Sequence, residues 1–488
     1  WGYNTSRFIP KNSGKIDSKN VKKLKLKWAF GFPYSQRARS QPLFAMGSIF
    51  VGSQSGDIYA LDVETGCVKW NFSASAEVRT GIIMDEWKNG EKPKKRPYIY
   101  FGDILANEYA LDAQTGELIW KIKTDDHPNA TRTATSAKFE NILFVPVSGL
   151  EVIPAFNNDY ECCTFRGGLL AVKADTGEIL WKKYSIPVPA KYSGTTSVGT
   201  RMFGPSGAPI WTSPNIDKKR RYVYIGTGEN YSTPADDSSD AIIAYNIDTG
   251  EEVWRRQTLA GDAWNLACMG KGLPNCPEEN GPDMDYSASS ILIDLGDRDI
   301  LVAGQKSGSV YGINPDNGEI IWSKVVSGGG TQGGIHFGMA SEGDVLYVPL
   351  NDMKDTLDGK VWLNRKPGMH SLDTETGNIL WSKITDTECK EIDINCDPGI
   401  SAAVTAIPGA VIAGHLDGMI RVYDKDNGDI LWSFNSLGDY ESISGTPASG
   451  GSFSGSGPSI RNGYMAINSG YGIYNHMPGN ALLLFTID

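Results

Sequence analysis

One phrase recurs seven times along this 488-residue chain and limits what the chain can fold into. It reads YALDVETGCVKW (59–70), YALDAQTGELIW (109–120), LAVKADTGEILW (170–181), IAYNIDTGEEVW (243–254), YGINPDNGEIIW (311–322), HSLDTETGNILW (370–381) and RVYDKDNGDILW (421–432). Each copy is an apolar strand, a turn in which Gly supplies the positive φ that a hairpin needs, and a second strand ending in Trp. Each therefore predicts the outer hairpin of a small antiparallel sheet. Upstream runs such as GSIFVGSQSG (47–56) and RYVYIGTGEN (221–230) complete four strands per unit. Four-stranded units repeated at this scale predict an all-β fold, the β-propeller, in which radial packing protects the sheet edges.

The Trp-to-Trp spacings are 50, 61, 73, 68, 59 and 51 residues, longer than the roughly 40 to 45 residues of a minimal blade. The excess must be loop. It is largest around the third to fifth copies, which marks that sector as the functional side. An eighth unit comes from the ends of the chain. NALLLFTID (480–488) resembles the first strand of the hairpin without its partner, and LKLKWAF (24–30) resembles the second, with Trp28 in the repeated position. The expected architecture is one eight-bladed β-propeller domain over residues 1–488, closed by pairing 24–30 with 481–485. The eight repeated Trp are expected to pack between blades. Trp1, Trp87, Trp211, Trp264 and Trp362 stand outside the pattern.

With 46 basic against 57 acidic residues and a pI near 5.1, the surface offers no basic field for nucleic acid or anionic membranes. The longest apolar run, 400–414, is interrupted by Pro408, so no bilayer-spanning segment is expected. Among seven cysteines, Cys162 and Cys163 are adjacent, Cys268–Cys276 and Cys389–Cys396 lie eight and seven residues apart, and Cys67 is left over. Three short-range disulfides are the economical pairing. They favour an oxidising compartment, secreted or periplasmic. Zinc is disfavoured because the spacings are wrong and none of the five His stands beside these cysteines.

The stretch 261–292, GDAWNLACMGKGLPNCPEENGPDMDYSASSIL, breaks the repeat with an acidic, Gly- and Pro-rich loop. Alone, Asp283-Met284-Asp285 reads as a solvated acidic turn. In its surroundings, the two carboxylates are candidates to face one ligand.

The repeat, together with LKLKWAFGFP (24–33), YECCTFRGG (160–168), GDAWN, NCPEENGPDMDY and INSGYG (467–472), resembles the quinoprotein dehydrogenases that use pyrroloquinoline quinone (PQQ), in their polyvinyl alcohol dehydrogenase branch. The resemblance covers essentially the whole chain. It implies that Glu151, in Ser148-Gly149-Leu150-Glu151, ligates a calcium or lanthanide ion with Asn230, for which Glu229 is a rival. It implies that Asp283 is the general base beside the metal and that Asp285 stands where lanthanide-using members have an extra ligand. Thr133, Ser148 and Arg79 would hold the quinone, Arg79 through a carboxylate, with Lys306 at the reactive carbonyls and Trp211 against one face. Cys162–Cys163 corresponds to a disulfide that covers the other face in the family, although here it falls in the third repeat. Arg39 stands where methanol-oxidising members have a Glu, and Pro282 replaces the Trp of their W-D-x-D phrase.

Alcohol oxidation needs a base for the hydroxyl proton and a Lewis acid on the quinone, and carboxylate and amide oxygens suit a hard cation. The expected function is a quinone-dependent alcohol dehydrogenase acting on small or polymeric alcohols. No C-x-x-C-H occurs in the sequence, so no cytochrome c domain is expected and electrons would pass to a separate carrier such as a cytochrome c. The alternative is a non-catalytic propeller serving as a binding scaffold.

Overall fold

The computed structural model describes residues 2–87, 96–269, 272–353, 364–385 and 396–487. Every repeated phrase folds as the third and fourth strands of an antiparallel blade, four-stranded as in blade I, Leu43–Ala45, Ser48–Gly52, Asp57–Asp62 and Val68–Ser73, with Ala130–Thr131 added as a fifth strand in blade III. The same order gives blade II from Ile83–Met84 to Leu118–Lys123, blade III from Ala137–Phe139 to Ile179–Tyr184, and blade IV from Asn215–Asp217 to Glu252–Gln257. Blades V, VI and VII begin at Ile291–Asp294, Ala340–Glu342 and Thr405–Ile407. Blade VIII joins the chain ends: Ser459–Arg461, Tyr464–Ser469 and Ala481–Thr486 are completed by Lys25–Gly31, with Gly31 opposite Ala481 and Lys25 opposite Thr486. The ring thus has eight blades, and its closure falls within one residue of the position read from the split hairpin.

The apolar core lies between blades rather than inside them. Phe144 and Leu169 of blade III pack with Val223 and Ile243 of blade IV, and Ile300 and Val302 of blade V pack with Leu346 and Val348 of blade VI. The repeated Trp fastens each pair. The indole N–H of Trp254 donates to the Pro315 carbonyl in the turn of the next blade at 3.0 Å, and Trp120 to Ala174 at 2.9 Å. Trp28, Trp70, Trp181, Trp322 and Trp381 bond in the same way to Val63, Ala113, Ile247, Thr374 and Lys425. Every acceptor lies three residues before its turn Gly. That Gly has a φ of +74° at position 318, and an added Cβ would come within 2.6 Å of the Trp254 ring. The turn glycine is therefore required twice, for its backbone conformation and for the flat surface it gives the indole. Trp432 instead stacks on Phe434 and meets Phe485 edge-on.

First strands of neighbouring blades touch one another and so line the axis. Residues 2–9 cross this channel. The Thr5 carbonyl accepts from Leu292 N and Asn215 Nδ2, the Ser6 carbonyl from Ser341 N, and the Arg7 carbonyl from Ala406 N. The segment thereby ties together blades IV to VII.

Cys268–Cys276 and Cys162–Cys163 are disulfides and Cys67 is free, as the spacing implied. Cys396 is disulfide-bonded, and its expected partner Cys389 lies outside the described residues.

Gly318→Ala should lower unfolding free energy by about 2–5 kcal/mol, the sum of left-handed strain and overpacking against Trp254. Gly343→Ala, at φ +62° with open space around the added methyl, should cost only the strain, about 1–2 kcal/mol. Urea titration of both variants checks this, and equal shifts would show that the Trp contact is irrelevant.

Candidate functional site

The linkers between blades vary from nine residues (74–82) to thirty-three (258–290), yet they deliver side chains to the axis in one register. The residue four positions before the innermost strand is Arg39, Arg79, Thr133, Trp211, Ser287, His336, Ser401 or Gly455 in the eight successive linkers. Arg39, Arg79, Thr133, Trp211, Ser287 and Gly455 line one small cleft, together with Phe337, the neighbour of His336.

Backbone-to-hydroxyl bonds fix this register. Gly81 N donates to Thr135 Oγ1 at 2.7 Å, Thr135 N to Ser213 Oγ at 3.1 Å, and Ser213 N to Ser289 Oγ at 3.0 Å. Each tie lies two residues after Arg79, Thr133, Trp211 or Ser287. Alternate residues of an extended segment share a side, so the stitching residue and the cleft residue are set together.

A carboxylate group adjoins the cleft. Oxygens of Glu229, Asp283 and Asp285 lie within 4.8 Å of one another, and all three residues are buried. The acidic turn is therefore not solvated: Asp283 is 5% and Asp285 3% exposed. Lys306 Nζ enters the group at 2.9 Å from Asp283 Oδ1 and 2.7 Å from Asp285 Oδ2, with its ammonium 5.2 Å from the Trp211 ring centre. Asp262, in the phrase GDAWN, holds the loop by accepting from Asp283 N at 3.1 Å and Met284 N at 2.8 Å. Asp283 takes a φ of +58°, a conformation uncommon outside Gly that the surrounding bonds must enforce.

Burial, with Asp285 close by, pushes the Asp283 carboxyl well above the usual carboxylate range, and burial beside Asp285 and Asp283 does the same to Glu229. Burial acts on Asp285 in the same sense, but the Lys306 ammonium and hydrogen bonding from Glu229 outweigh it and hold that carboxyl low. Burial opposes the Lys306 charge, and the surrounding carboxylates more than restore it. Three carboxylates face one ammonium, so the group has the charge and the oxygen donors for a hard cation.

Glu151 and Asn230, expected beside Asp283, do not belong to this carboxylate group. The Glu151 carboxylate accepts from Tyr160 Oη, Thr164 N and Phe165 N at 2.7–3.0 Å. Asn230 gives its amide to Ser206 O and Asp236 Oδ1 and accepts from Asp236 N. Glu229, the rival to Asn230, lies in the group with Asp283 and Asp285. Ser148 is buried opposite Thr131 in the strand pairing. Cys162–Cys163 is fully buried in the apolar cluster with Ala155, Phe165 and Tyr231 and is not among the residues that line the cleft. Sequence reading passed over Asp262, Glu77, His336 and Phe337. Only Asp262 carried a signal, through its place in a phrase already singled out.

The residues fit a flat anionic quinone. Thr133 Oγ1 is buried without a hydrogen-bond partner, Arg79 forms no ion pair among the described residues, and Trp211 presents a ring to the same cleft.

The model of the family described as "Glucose/ethanol/alcohol dehydrogenase, beta-propeller domain", a PQQ family, matches residues 2–271, and that described as "Outer membrane protein assembly factor BamB" matches 306–452. The chain is 38% identical to a polyvinylalcohol dehydrogenase of a Pseudomonas species over 100% of this chain and 76% of that protein. It is 35% identical to that of Sphingopyxis sp. strain 113P3, over 97% and 74% of the two chains. Among solved structures, a europium-containing methanol dehydrogenase superposes with a TM-score of 0.69 at 17% identity, covering 99% of this chain and 96% of that one. The chain belongs to the family of PQQ-dependent alcohol dehydrogenases built on the eight-bladed β-propeller. Within it, polyvinylalcohol dehydrogenases are relatives along the full length.

Lys306→Met should lower stability by about 3–5 kcal/mol in the presence of chelator, because the buried carboxylates lose the one ammonium that reaches them among the described residues. Added Ca2+ or La3+ should recover part of the loss, as read by urea midpoint. A variant as stable as wild type would show that the carboxylates need no counter-charge.

Proposed function

We propose that this protein is a secreted or periplasmic enzyme that oxidises alcohol groups, including the secondary alcohols of a polyvinyl alcohol chain, with PQQ and a Ca2+ or lanthanide ion. The observation that carries the reading is the adjacency of the Glu229–Asp283–Asp285–Lys306 group to the cleft of Arg79, Thr133 and Trp211. No helix among the described residues is long and apolar enough to cross a membrane. Electrons would leave to a separate carrier.

Arg79 and the unpartnered hydroxyl of Thr133 would hold a carboxylate of the quinone, and Trp211 would supply an aromatic surface for its ring system. When bound, PQQ supplies an electrophilic carbonyl that accepts hydride from the alcohol carbon. Glu229, Asp283 and Asp285 would hold the cation. For Glu151 to join them it would give up its bonds to Tyr160, Thr164 and Phe165. Ser148 and Cys162–Cys163 support the wall of the neighbouring blade. The europium-containing relative in structure favours a lanthanide as one occupant.

Asp283 is the base that takes the hydroxyl proton. Its positive φ and the bonds from Asp283 N and Met284 N to Asp262 fix the backbone that carries the carboxylate; burial raises its proton affinity, and Lys306 at 2.9 Å works against burial toward the ionised form. A cation acts in the same direction.

Asp283→Asn should lower kcat on a secondary alcohol by roughly two to four decades, with quinone affinity altered less than about threefold. Steady-state turnover with an artificial acceptor and a quinone titration give the two numbers. Full turnover with cofactor bound would remove Asp283 from the base role.

A further inference from the structure

Arg39 occupies the same register as Arg79, Thr133 and Trp211, four residues before the innermost strand of its blade, and lines the same cleft. It is 8% exposed. Its guanidinium is gripped by the buried Glu77 carboxylate, to which Arg39 Nε donates at 2.9 Å and Arg39 Nη2 donates as well. Glu77 also accepts two bonds from Arg37, at 3.1 and 2.6 Å. Burial works against the Glu77 charge, but the two guanidinium groups outweigh it and hold its carboxyl below the usual range.

The charges do not cancel. Arg37, Arg39 and Arg79 face one carboxylate, and Arg79 has no ion-pair partner among the described residues. Tyr471 packs near the Arg39 guanidinium, 5.7 Å from ring centre to Cζ, and contributes a hydroxyl rather than a second carboxylate. With Arg37 outside the cleft, Arg39 and Arg79 have the single Glu77 carboxylate beside them, and one positive charge is left over in a corner that opens into the cleft. Such a surplus of buried charge is costly unless an anion completes it. Across the register, Gly455 has no side chain, and a Cβ there would find nothing nearer than 3.7 Å, which leaves room beside Arg39.

We propose that Arg39 is a second carboxylate-binding guanidinium of the quinone site and that Glu77 is the positioning residue that aims it. The inference rests on the quinone reading given above. PQQ carries three carboxylic acids. Arg79 and Thr133 account for one, and Arg39 answers a second. Arg37, 23% exposed at the side chain, completes the Glu77 bonds from outside the cleft.

Equilibrium binding to the cofactor-free full chain, followed by quenching of tryptophan fluorescence, tests the assignment with two probes, PQQ and its neutral trimethyl ester. Arg39→Gln should weaken PQQ about 10- to 100-fold, the loss of a charge-assisted bond, while affinity for the ester changes less than about threefold. Glu77→Gln should weaken PQQ less, by about 3- to 10-fold, because the guanidinium remains but is no longer aimed. Arg39→Lys keeps the charge if Arg39→Gln fails to fold, and should bind PQQ more tightly than Arg39→Gln or, in its absence, with an intermediate loss. Overturning results are an unchanged PQQ affinity in the Arg39 variant, or equal losses for PQQ and the ester. Failure of the wild-type chain to bind either probe would instead overturn the quinone reading itself.

Discussion

The contact on which everything else depends is an indole seated on a glycine. A propeller blade exposes an apolar face on each side and cannot bury either alone, so the ring exists only if each sheet is held at a fixed angle and height against the next. The Trp at the end of one outer strand meets the turn of the following blade, where a Gly at φ near +70° leaves a flat backbone surface and a carbonyl three residues earlier accepts the indole N–H. Seven such contacts fix seven junctions. The junction between blades VII and VIII is held instead by aromatic packing of Trp432 and Phe434 on Phe485, beside the strand where the two chain ends meet.

Because the outer hairpins fix the blades, the inner linkers are free to vary in length and still arrive at the axis in register. The hydroxyl ties at Thr135, Ser213 and Ser289 transmit the register from one linker to the next. Eight positions become equivalent in space while their residues diverge: two arginines, a threonine, a tryptophan, two serines, a histidine and a glycine. One ring of backbone thus presents a cationic arc at Arg39 and Arg79 and a flat ring at Trp211. Beyond Trp211, Asp283 and Asp285 on the loop between blades IV and V meet Glu229, which follows the second strand of blade IV, with Lys306 between them and Trp211.

The fold was almost wholly legible in the sequence because its determinants are local. A hairpin turn, a Gly and a Trp recur within a dozen residues, and the split copy at the termini announces its own closure. The site was legible only in part. Arg79, Thr133, Trp211, Lys306, Asp283 and Asp285 stand in recognisable phrases, and the structure gathers them in one cleft and the carboxylate group beside it. The choice of Glu229 over Asn230 was open, because consecutive residues on a strand point opposite ways and sequence spacing does not say which faces inward. In the short ribbon that pairs Ser206–Gly207 with Asn230–Ser232 the Asn230 amide donates to the Ser206 carbonyl, while the Glu229 carboxylate lies with Asp283 and Asp285. Glu151 is diverted by the backbone N–H groups of Thr164 and Phe165, a partnership set by the loop carrying Cys162–Cys163 that no motif encodes. The eightfold register of the linkers was hidden because neither their lengths nor their residue types repeat.

Glu229, Asp283 and Asp285, beside an aromatic-walled cleft, are proposed to hold a hard cation, and terbium luminescence addresses this directly. With Tb3+ added to the chelator-treated chain and tryptophan excited, emission should rise to saturation at one ion per chain, since Trp211 stands near the Lys306 that enters the carboxylate group. Asp285→Ala should weaken that binding by at least about tenfold, the loss of one charged ligand in three. Saturation unchanged by Asp285→Ala, or no sensitised emission from the wild-type chain, would contradict the site.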